Sequence, residues 1–309
     1  MKLVVQIPCY NEEDNIFEAI NSIPKKINGI NEIVILVLND GSNDNSEQII
    51  NQFDVQYIKT KHVGLAEIFR IGFEYAIKNN ADIVVNFDGD NQYKAKDIEK
   101  LILPIIKDEA DITIGTRPIN KIKTFSLTKK ILQKMGTFIV KIISNAEIKD
   151  ATSGFRAYNK KAILKTNIFN NYTYTIENII QAKSKNLVIK NIDIETNLQI
   201  NRKSKLVKSN LHYIFKQAIN ILRFFVIYSP VKFFGFISLF FFLIGIILGF
   251  RYLFYFYNHQ GTGHIQSLIL CSITLMISFI LANIMILSDI QSINRKILED
   301  MQEKIRQAK

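Results

Sequence analysis

At 309 residues the chain can hold one large domain or two small ones, and it carries no internal repeat or low-complexity tract. Its two cysteines, Cys9 and Cys271, match no metal-ligand spacing and exclude a disulfide framework. The net charge of +11 is concentrated: residues 121–134 and 201–232 carry twelve of the 39 cations and no acid, so the rest of the chain is close to neutral against its 28 acids.

A first strand is expected over residues 2–7, beginning directly at Lys2-Leu3-Val4-Val5. No signal peptide is therefore expected, and the N-terminal part is expected to stay in the cytosol. The segment Pro8-Cys9-Tyr10-Asn11-Glu12-Glu13 follows, then an amphipathic helix to about Ser22. Ile33–Leu38 reads as a second strand, ended by Asn39-Asp40-Gly41-Ser42 and a helix opening near Asn43; Val55–Lys59 reads as a third strand. Residues 64–79 show helical spacing through Leu65, Ile68, Phe69, Gly72, Phe73 and Ala76. Ile83-Val84-Val85-Asn86-Phe87 is a fourth strand leading into Asp88-Gly89-Asp90-Asn91-Gln92, and Ile112–Gly115 is a fifth. Strands alternating with helices at this spacing predict an α/β fold, a mostly parallel sheet with helices on both faces. Asp40 and Asp88 then both fall at strand C-termini, the edge where open α/β sheets hold ligands.

Residues 207–228 mix cations with Leu211, Ile214, Phe215, Ile219, Leu222 and Phe225 and contain no acid, the pattern of a helix lying in a bilayer interface. Phe233–Phe250 and Ile265–Ser288 are uncharged runs, each long enough to cross ~30 Å of hydrocarbon. The short polar segment Asn258–His264 joins them, so the pair reads as a transmembrane hairpin. Arg295, Lys296, Lys304, Arg306 and Lys309 follow the second span, whereas the joining loop is nearly free of Lys and Arg. Both termini are thus expected in the cytoplasm. The expected layout is a cytosolic domain over residues 1–206, a juxtamembrane amphipathic helix over 207–230, the hairpin over 231–290 and a cytosolic tail over 291–309. The second basic stretch abuts this membrane region and points to anionic lipid head groups. Neither basic stretch accompanies a nucleic-acid recognition motif, so no nucleic-acid partner is expected.

Six segments, in this order, resemble one family: Ile7-Pro8-Cys9-Tyr10-Asn11-Glu12, Asp40-Gly41-Ser42, Asp88-Gly89-Asp90-Asn91-Gln92, Ile114-Gly115-Thr116-Arg117, Thr152-Ser153-Gly154-Phe155-Arg156-Ala157-Tyr158 and Arg202-Lys203-Ser204-Lys205. They are similar to inverting GT-A glycosyltransferases of the dolichol-phosphate-mannose-synthase type, and to bacterial polyisoprenyl-phosphate glycosyltransferases with two C-terminal transmembrane helices. The resemblance implies a GT-A, Rossmann-like fold, a nucleotide-sugar donor (UDP- or GDP-linked), a polyprenyl-phosphate acceptor, and Mg²⁺ or Mn²⁺. It implies that Pro8, Tyr10 and Glu12 line the nucleotide pocket and that Asp40 contacts the base. Asp88, Asp90 and Gln92 would hold the metal and the ribose-diphosphate, and Arg117, Arg202 and Lys205 would face the donor diphosphate and the acceptor phosphate. The segment around Thr152–Arg156 would shape the sugar and acceptor site. The hairpin is where copies of such an enzyme could assemble as a homo-oligomer. Two departures are visible: Asn39 stands where the family commonly has Asp, and Ala151 where it has Pro.

The residue types suit that chemistry. Two carboxylates and an amide are hard oxygen ligands for a divalent ion bridging phosphates, and the planar fork of an arginine binds oxyanions bidentately. A lipid monophosphate is already largely anionic, with a second pKa near ~6. It needs cations to hold it, not a base. A sugar-hydroxyl acceptor, as in polysaccharide or glycolipid synthesis, would need a base, for which Asp150 and Glu177 are the candidates. Processive synthases of that kind usually carry a Gln-x-x-Arg-Trp motif, and this chain has no tryptophan. A reading of another class is an inactive nucleotide-sugar-binding adaptor, which the intact Asp88/Asp90/Gln92 set disfavours. His62, His212, His259 and His264 share no metal spacing and read as ordinary surface, interfacial or loop residues.

Overall fold

The structure, a computed structural model, describes residues 1–119, 127–168, 174–197, 219, 222–223, 225–258 and 261–307. The chain divides into two compact units, Met1–Phe215 together with Asp300–Lys309, and Lys216–Glu299.

The first unit is built on seven strands: β1 (Lys2–Cys9), β2 (Glu32–Asn39), β3 (Gln56–Lys59), β4 (Ile83–Asn86), β5 (Ile112–Thr116), β6 (Arg156–Asn159) and β7 (Ile189–Asp193). They form one sheet in the order β3-β2-β1-β4-β6-β5-β7. All neighbours are parallel except β6, which runs antiparallel to both β4 and β5. The predicted mostly parallel sheet is therefore present, with one reversed strand. Four-residue β6 escapes a reading of apolar runs because it opens on Arg156 and closes on Asn159.

Helices α1 (Ile16–Asn21) and α4 (Asp97–Ile106) cover one face, where Leu3, Val5 and Ile7 pack with Ile16, Ile20, Ile98, Leu101 and Ile102. Helix α3 (Leu65–Lys78) covers the other, burying Ala66, Ile68, Phe69, Gly72, Phe73 and Ala76, the stripe its periodicity predicts. It lies so close to β1 that a Cβ on Gly72 would fall 2.0 Å from Gln6 Oε1. Short α2 (Ser46–Ile50), α6 (Lys160–Lys165) and α7 (Thr175–Ser184) complete the packing with α5 (Leu127–Ser144). On α5, Thr137, Val140 and Ile143 face inward, while Met135, Phe138, Ile139 and Ile142 form an exposed stripe beside exposed Lys134 and Lys141. At the far end of the chain, Arg306 Nη1 donates to the carbonyls of Leu164 and Thr166 and to Asn167 Oδ1, at 2.9–3.1 Å.

The second unit contains α8 (Pro230–Tyr257) and most of α9 (Ile265–Gln307), two helices long and apolar enough to cross a membrane. Pro230 sits in the first turn of α8, where a missing N–H costs nothing. Small residues let the pair approach: a Cβ on Gly245 would lie 2.7 Å from Leu275. Ser238 Oγ donates to the carbonyl of Ser278, and Ser278 Oγ returns a bond to the carbonyl of Ser238, both at 2.9 Å. The phenylalanines Phe236, Phe240, Phe250 and Phe254 point outward, a surface suited to lipid rather than water.

Candidate active site

Strand order reverses between β1 and β4, the place at which open α/β sheets bind their ligands. Four strand ends converge on this edge: β1 delivers Tyr10 and Glu12, β2 delivers Asp40, β4 delivers Asp88 and Asp90, and β5 delivers Arg117. Two asparagines in the left-handed region, Asn11 (φ 54°) and Asn91 (φ 53°), turn the chain out of β1 and β4. The first two loops are laced together. Asn11 N–H donates to Ser42 Oγ, Asn43 N–H to Asn11 Oδ1, and Glu12 N–H to Ser46 Oγ. Pro8 contributes its carbonyl, which accepts from Gly89 N–H at 3.3 Å and lies 2.8 Å from where a Gly89 Cβ would stand.

Asp88 sits in a socket of polar groups. Asn86 Nδ2 approaches Asp88 Oδ1 at 3.1 Å, the Gly154 carbonyl at 3.0 Å and Tyr174 Oη at 2.9 Å. Behind it, Gln6 Nε2 donates to Asn86 Oδ1. Gly154 is fixed by its N–H to Tyr93 Oη, and a side chain there would strike Asp88: an added Cβ would lie 2.8 Å from Oδ2. That contact explains a glycine in the Thr152–Arg156 segment. Gly154→Ala is expected to lower transfer activity by about 10- to 100-fold through displacement of Asp88. Gly136, which has open space around it in α5, should accept alanine with unchanged or raised stability. Parallel assays and melting curves on the two variants check this.

The electrostatics favour a cation. Burial, and then the charge of Asp90, pushes the Asp88 carboxyl up to about 7. The Arg117 charge counters only part of this. A divalent ion would relieve both the desolvation and the repulsion, so the donor set fits Mg²⁺ or Mn²⁺ held by Asp88, Asp90 and Gln92. Asp90 Oδ1 accepts Gln92 N–H at 3.1 Å, which ties the third proposed ligand to the second. Among the described residues no three His, Cys, Asp or Glu side chains cluster to hold a metal by themselves. Such an ion would complete its shell with water and substrate phosphate, as Mg²⁺ usually does.

The raised Asp88 value has a sign for stability. The folded protein holds that proton more tightly than the unfolded chain between pH ~4 and ~7, so metal-free stability should fall as pH rises through this window. Melting of chelator-treated protein should show that slope, and Asp88→Asn should flatten it. Added Mn²⁺ should raise the melting temperature more at pH 8 than at pH 5.5, because the ion binds the ionised form.

Arg117 is almost entirely buried. Its Nε donates to Asp150 Oδ2 at 2.7 Å, and its Nη2 to Asp150 Oδ1 at 3.0 Å and Thr152 Oγ1 at 2.7 Å. Burial alone would raise the Asp150 carboxyl; the Arg117 charge and the bonds from Arg117 and Thr152 outweigh it and hold it below the usual range. Asp150 is thus committed to an ion pair, which corrects its candidacy as a base. Glu177, the other candidate, is buried on α7. Arg156 is also buried, donating to the carbonyls of Ser153, Thr175 and Ala151, so it knits this segment together. Arg202 and Lys205 lie outside the described residues.

At the β2 end, Asp40 is held by the loop that follows β3. Oδ1 accepts Val63 N–H at 2.7 Å and lies within 3.4 Å of Thr60 Oγ1, while Oδ2 accepts Gly64 N–H at 3.0 Å and faces His62 Nδ1 at 2.9 Å. The His62 ring stacks on Tyr10 at 4.2 Å between centroids. His62 is thus an exposed residue, as expected, that also packs on Asp40 and Tyr10. No spacing signal marks it; its partners lie 22 and 52 positions away in the chain. Asn86, Tyr93 and Tyr174 were equally unmarked, although a lone amide inside the apolar run of β4 is the kind of exception that points to a buried polar partner.

A family model described as glycosyl transferase family 2 matches residues 4–166. Over 215 residues the chain is 31% identical to a UDP-N-acetylglucosamine–dolichyl-phosphate N-acetylglucosaminyltransferase of Methanococcus voltae, covering 62% of this chain and 83% of that protein. It is 30% identical over 171 residues to a dolichol-phosphate mannosyltransferase of Pyrococcus furiosus, covering 53% of this chain and 47% of the other. A solved structure of glucosyl-3-phosphoglycerate synthase from Mycobacterium tuberculosis, in complex with Mn²⁺, UDP and phosphoglyceric acid, superposes with a TM-score of 0.56 at 14% identity. The likeness covers 71% of this chain and 78% of that one. At that identity it concerns the fold.

Proposed function

Because the chain belongs to glycosyl transferase family 2, and is a glycosyltransferase of the polyisoprenyl-phosphate type, we propose that it moves one sugar from a UDP- or GDP-linked donor to a polyprenyl phosphate, with inversion. The observation that carries the reading is the paired Asp88 and Asp90 at the strand-order reversal, in a chain that also bears two membrane-length helices. The relatives named for dolichyl phosphate point to the same acceptor class.

Asp88, Asp90 and Gln92 would hold Mg²⁺ or Mn²⁺, which when bound supplies Lewis-acid neutralisation of the leaving diphosphate. Pro8, Tyr10, Glu12 and Asp40 frame the nucleotide pocket. Arg117 adds fixed positive charge beside Asp88, and Arg202 and Lys205 hold the acceptor phosphate. That acceptor needs no general base, in keeping with the ion-paired Asp150 and the buried Glu177. The catalytic part, residues 1–206, would lie at the cytoplasmic face with both termini, ahead of the juxtamembrane segment 207–230, the hairpin 231–290 and the tail 291–309. The exposed apolar stripe of α5, flanked by Lys134 and Lys141, supports contact with an anionic bilayer surface.

The test is release of free nucleoside diphosphate by detergent-purified protein. Release should require a divalent ion and rise on adding polyprenyl phosphate. Metal-dependent release stimulated by a sugar hydroxyl but not by the lipid phosphate would overturn the acceptor, and no release with any donor would favour a non-catalytic nucleotide-sugar adaptor.

A further inference from the structure

We propose that Asn197 is a positioning residue for the cation site, clamping the peptide that carries Gln92 and so holding Gln92 and Asp90 in a fixed relation before an ion arrives. The inference rests on the reading of Asp88, Asp90 and Gln92 as that site. It adds to it a side chain 106 positions from Asn91.

The chain leaves regular structure after Asn86, so the backbone groups of the loop that follows find their partners elsewhere. Asn91 sits at φ 53°, a region asparagine enters more readily than most residues. Asp90 and Gln92 flank it, joined by the bond from Gln92 N–H to Asp90 Oδ1 at 3.1 Å. Asn197 supplies partners for the two carbonyls. Its Nδ2 donates to the Asn91 carbonyl at 2.8 Å and to Asn91 Oδ1 at 3.2 Å. Its backbone N–H donates to the Gln92 carbonyl at 2.9 Å. The Gln92 peptide is thus held on three sides: its N–H by Asp90, the carbonyl before it by the Asn197 side chain, and its own carbonyl by the Asn197 backbone.

Asn197 is itself anchored, at the end of a strip that runs out of β7. Ile194 N–H donates to the Thr116 carbonyl at 3.1 Å, and Glu195 N–H donates to buried Asp97 at 2.7 Å. Thr196 pairs with Tyr93 in an antiparallel bridge, and the Glu195 carboxylate meets Lys94 and Lys96. Tyr93 in turn stacks on Phe155 and takes the Gly154 N–H, which links the strip to the glycine beside Asp88. These backbone anchors survive loss of the Asn197 carboxamide. What goes is the hold on Asn91, and with it the preset spacing of Gln92 and Asp90. Ligands left free to move must be ordered when the ion binds, which weakens binding; partners that orient metal ligands from outside typically set affinity by about 10- to 100-fold.

The experiment titrates full-length protein in detergent at pH 8 with Mn²⁺, in the presence of UDP or of GDP, and follows the free ion by electron paramagnetic resonance. Asn197→Ala should bind Mn²⁺ about tenfold more weakly than wild type. The same variant, treated with chelator, should melt within about 4 °C of wild type. Should it melt lower, Asn197→Ser carries the same expectation. Glu195→Ala removes the exposed ion pairs to Lys94 and Lys96 but no bond to the Gln92 loop, so it should bind Mn²⁺ within about twofold of wild type. Excess Mn²⁺ should return sugar transfer by Asn197→Ala to within about threefold of wild type, a rescue that a damaged fold would not show. Mn²⁺ affinity within about twofold of wild type in the Asn197 variants, or an equal loss in Glu195→Ala, overturns the proposal and leaves the cation site standing. If wild type binds no Mn²⁺ with either diphosphate, the reading of the cation site fails instead.

Discussion

Asp90→Asn should reduce sugar transfer by at least about a thousandfold while leaving the protein folded and membrane-extractable as before. The size follows from the role proposed for it: a charged oxygen ligand to the ion at the leaving diphosphate, of the order of 4 kcal/mol of transition-state stabilisation. The fold should tolerate the change, because the carboxylate accepts the Gln92 N–H, an interaction an amide oxygen can also accept, and the side chain is part-exposed. Asp88 gives an internal check. With Asp90 neutral, the second cause of the raised Asp88 value disappears, so the metal-free variant should lose part of the stability decline between pH ~4 and ~7. Transfer assays with varied Mn²⁺ and pH-dependent melting measure both effects. Activity above a tenth of wild type at saturating metal would overturn the assignment of Asp90 as a ligand.

Arg117→Ala should produce the largest loss of stability among the single substitutions considered. The Arg117–Asp150 pair is buried on both sides, with side-chain exposures of 6% and 0%. Removing one partner leaves an uncompensated charge in the interior, a cost of about 3–5 kcal/mol. Failure of this variant to fold would leave the catalytic role of Arg117 undecided, so the informative protein is the double variant Arg117→Met with Asp150→Leu. Replacing a buried pair by apolar side chains of similar volume is often close to neutral for stability. The double variant should therefore melt near wild type, yet transfer sugar at least about 100-fold more slowly, since the positive charge that offsets part of the Asp88 penalty is gone. Wild-type rates in that protein would reduce Arg117 to a purely structural residue.

Much of this architecture follows from local pattern. The apolar runs of β1, β2, β4 and β5, the helical stripe of α3 and the two long uncharged helices are visible in the order of residues alone, because burial of a whole strand or of one helix face leaves a periodic mark. The placement of Asp40 and Asp88 at one sheet edge follows from the same marks. Short β6 was not legible, nor was the outward apolar stripe of α5, since four residues carry too little periodicity and an apolar helix can turn either of two faces to the core.

The order of residues by itself determined an α/β sheet, acids at its carboxyl edge, and a hydrophobic C-terminal pair. Only the folded chain decided which partners these side chains meet. Arg117 and Asp150 are 33 positions apart, Asp40 and His62 22, and Asn86 and Tyr174 88. Such pairings are made by loops that meet after the sheet has formed, and no local propensity records them. Tertiary closure set Asp150 against an arginine and Asp40 against a histidine, and made a conspicuous glycine the clearance that Asp88 needs.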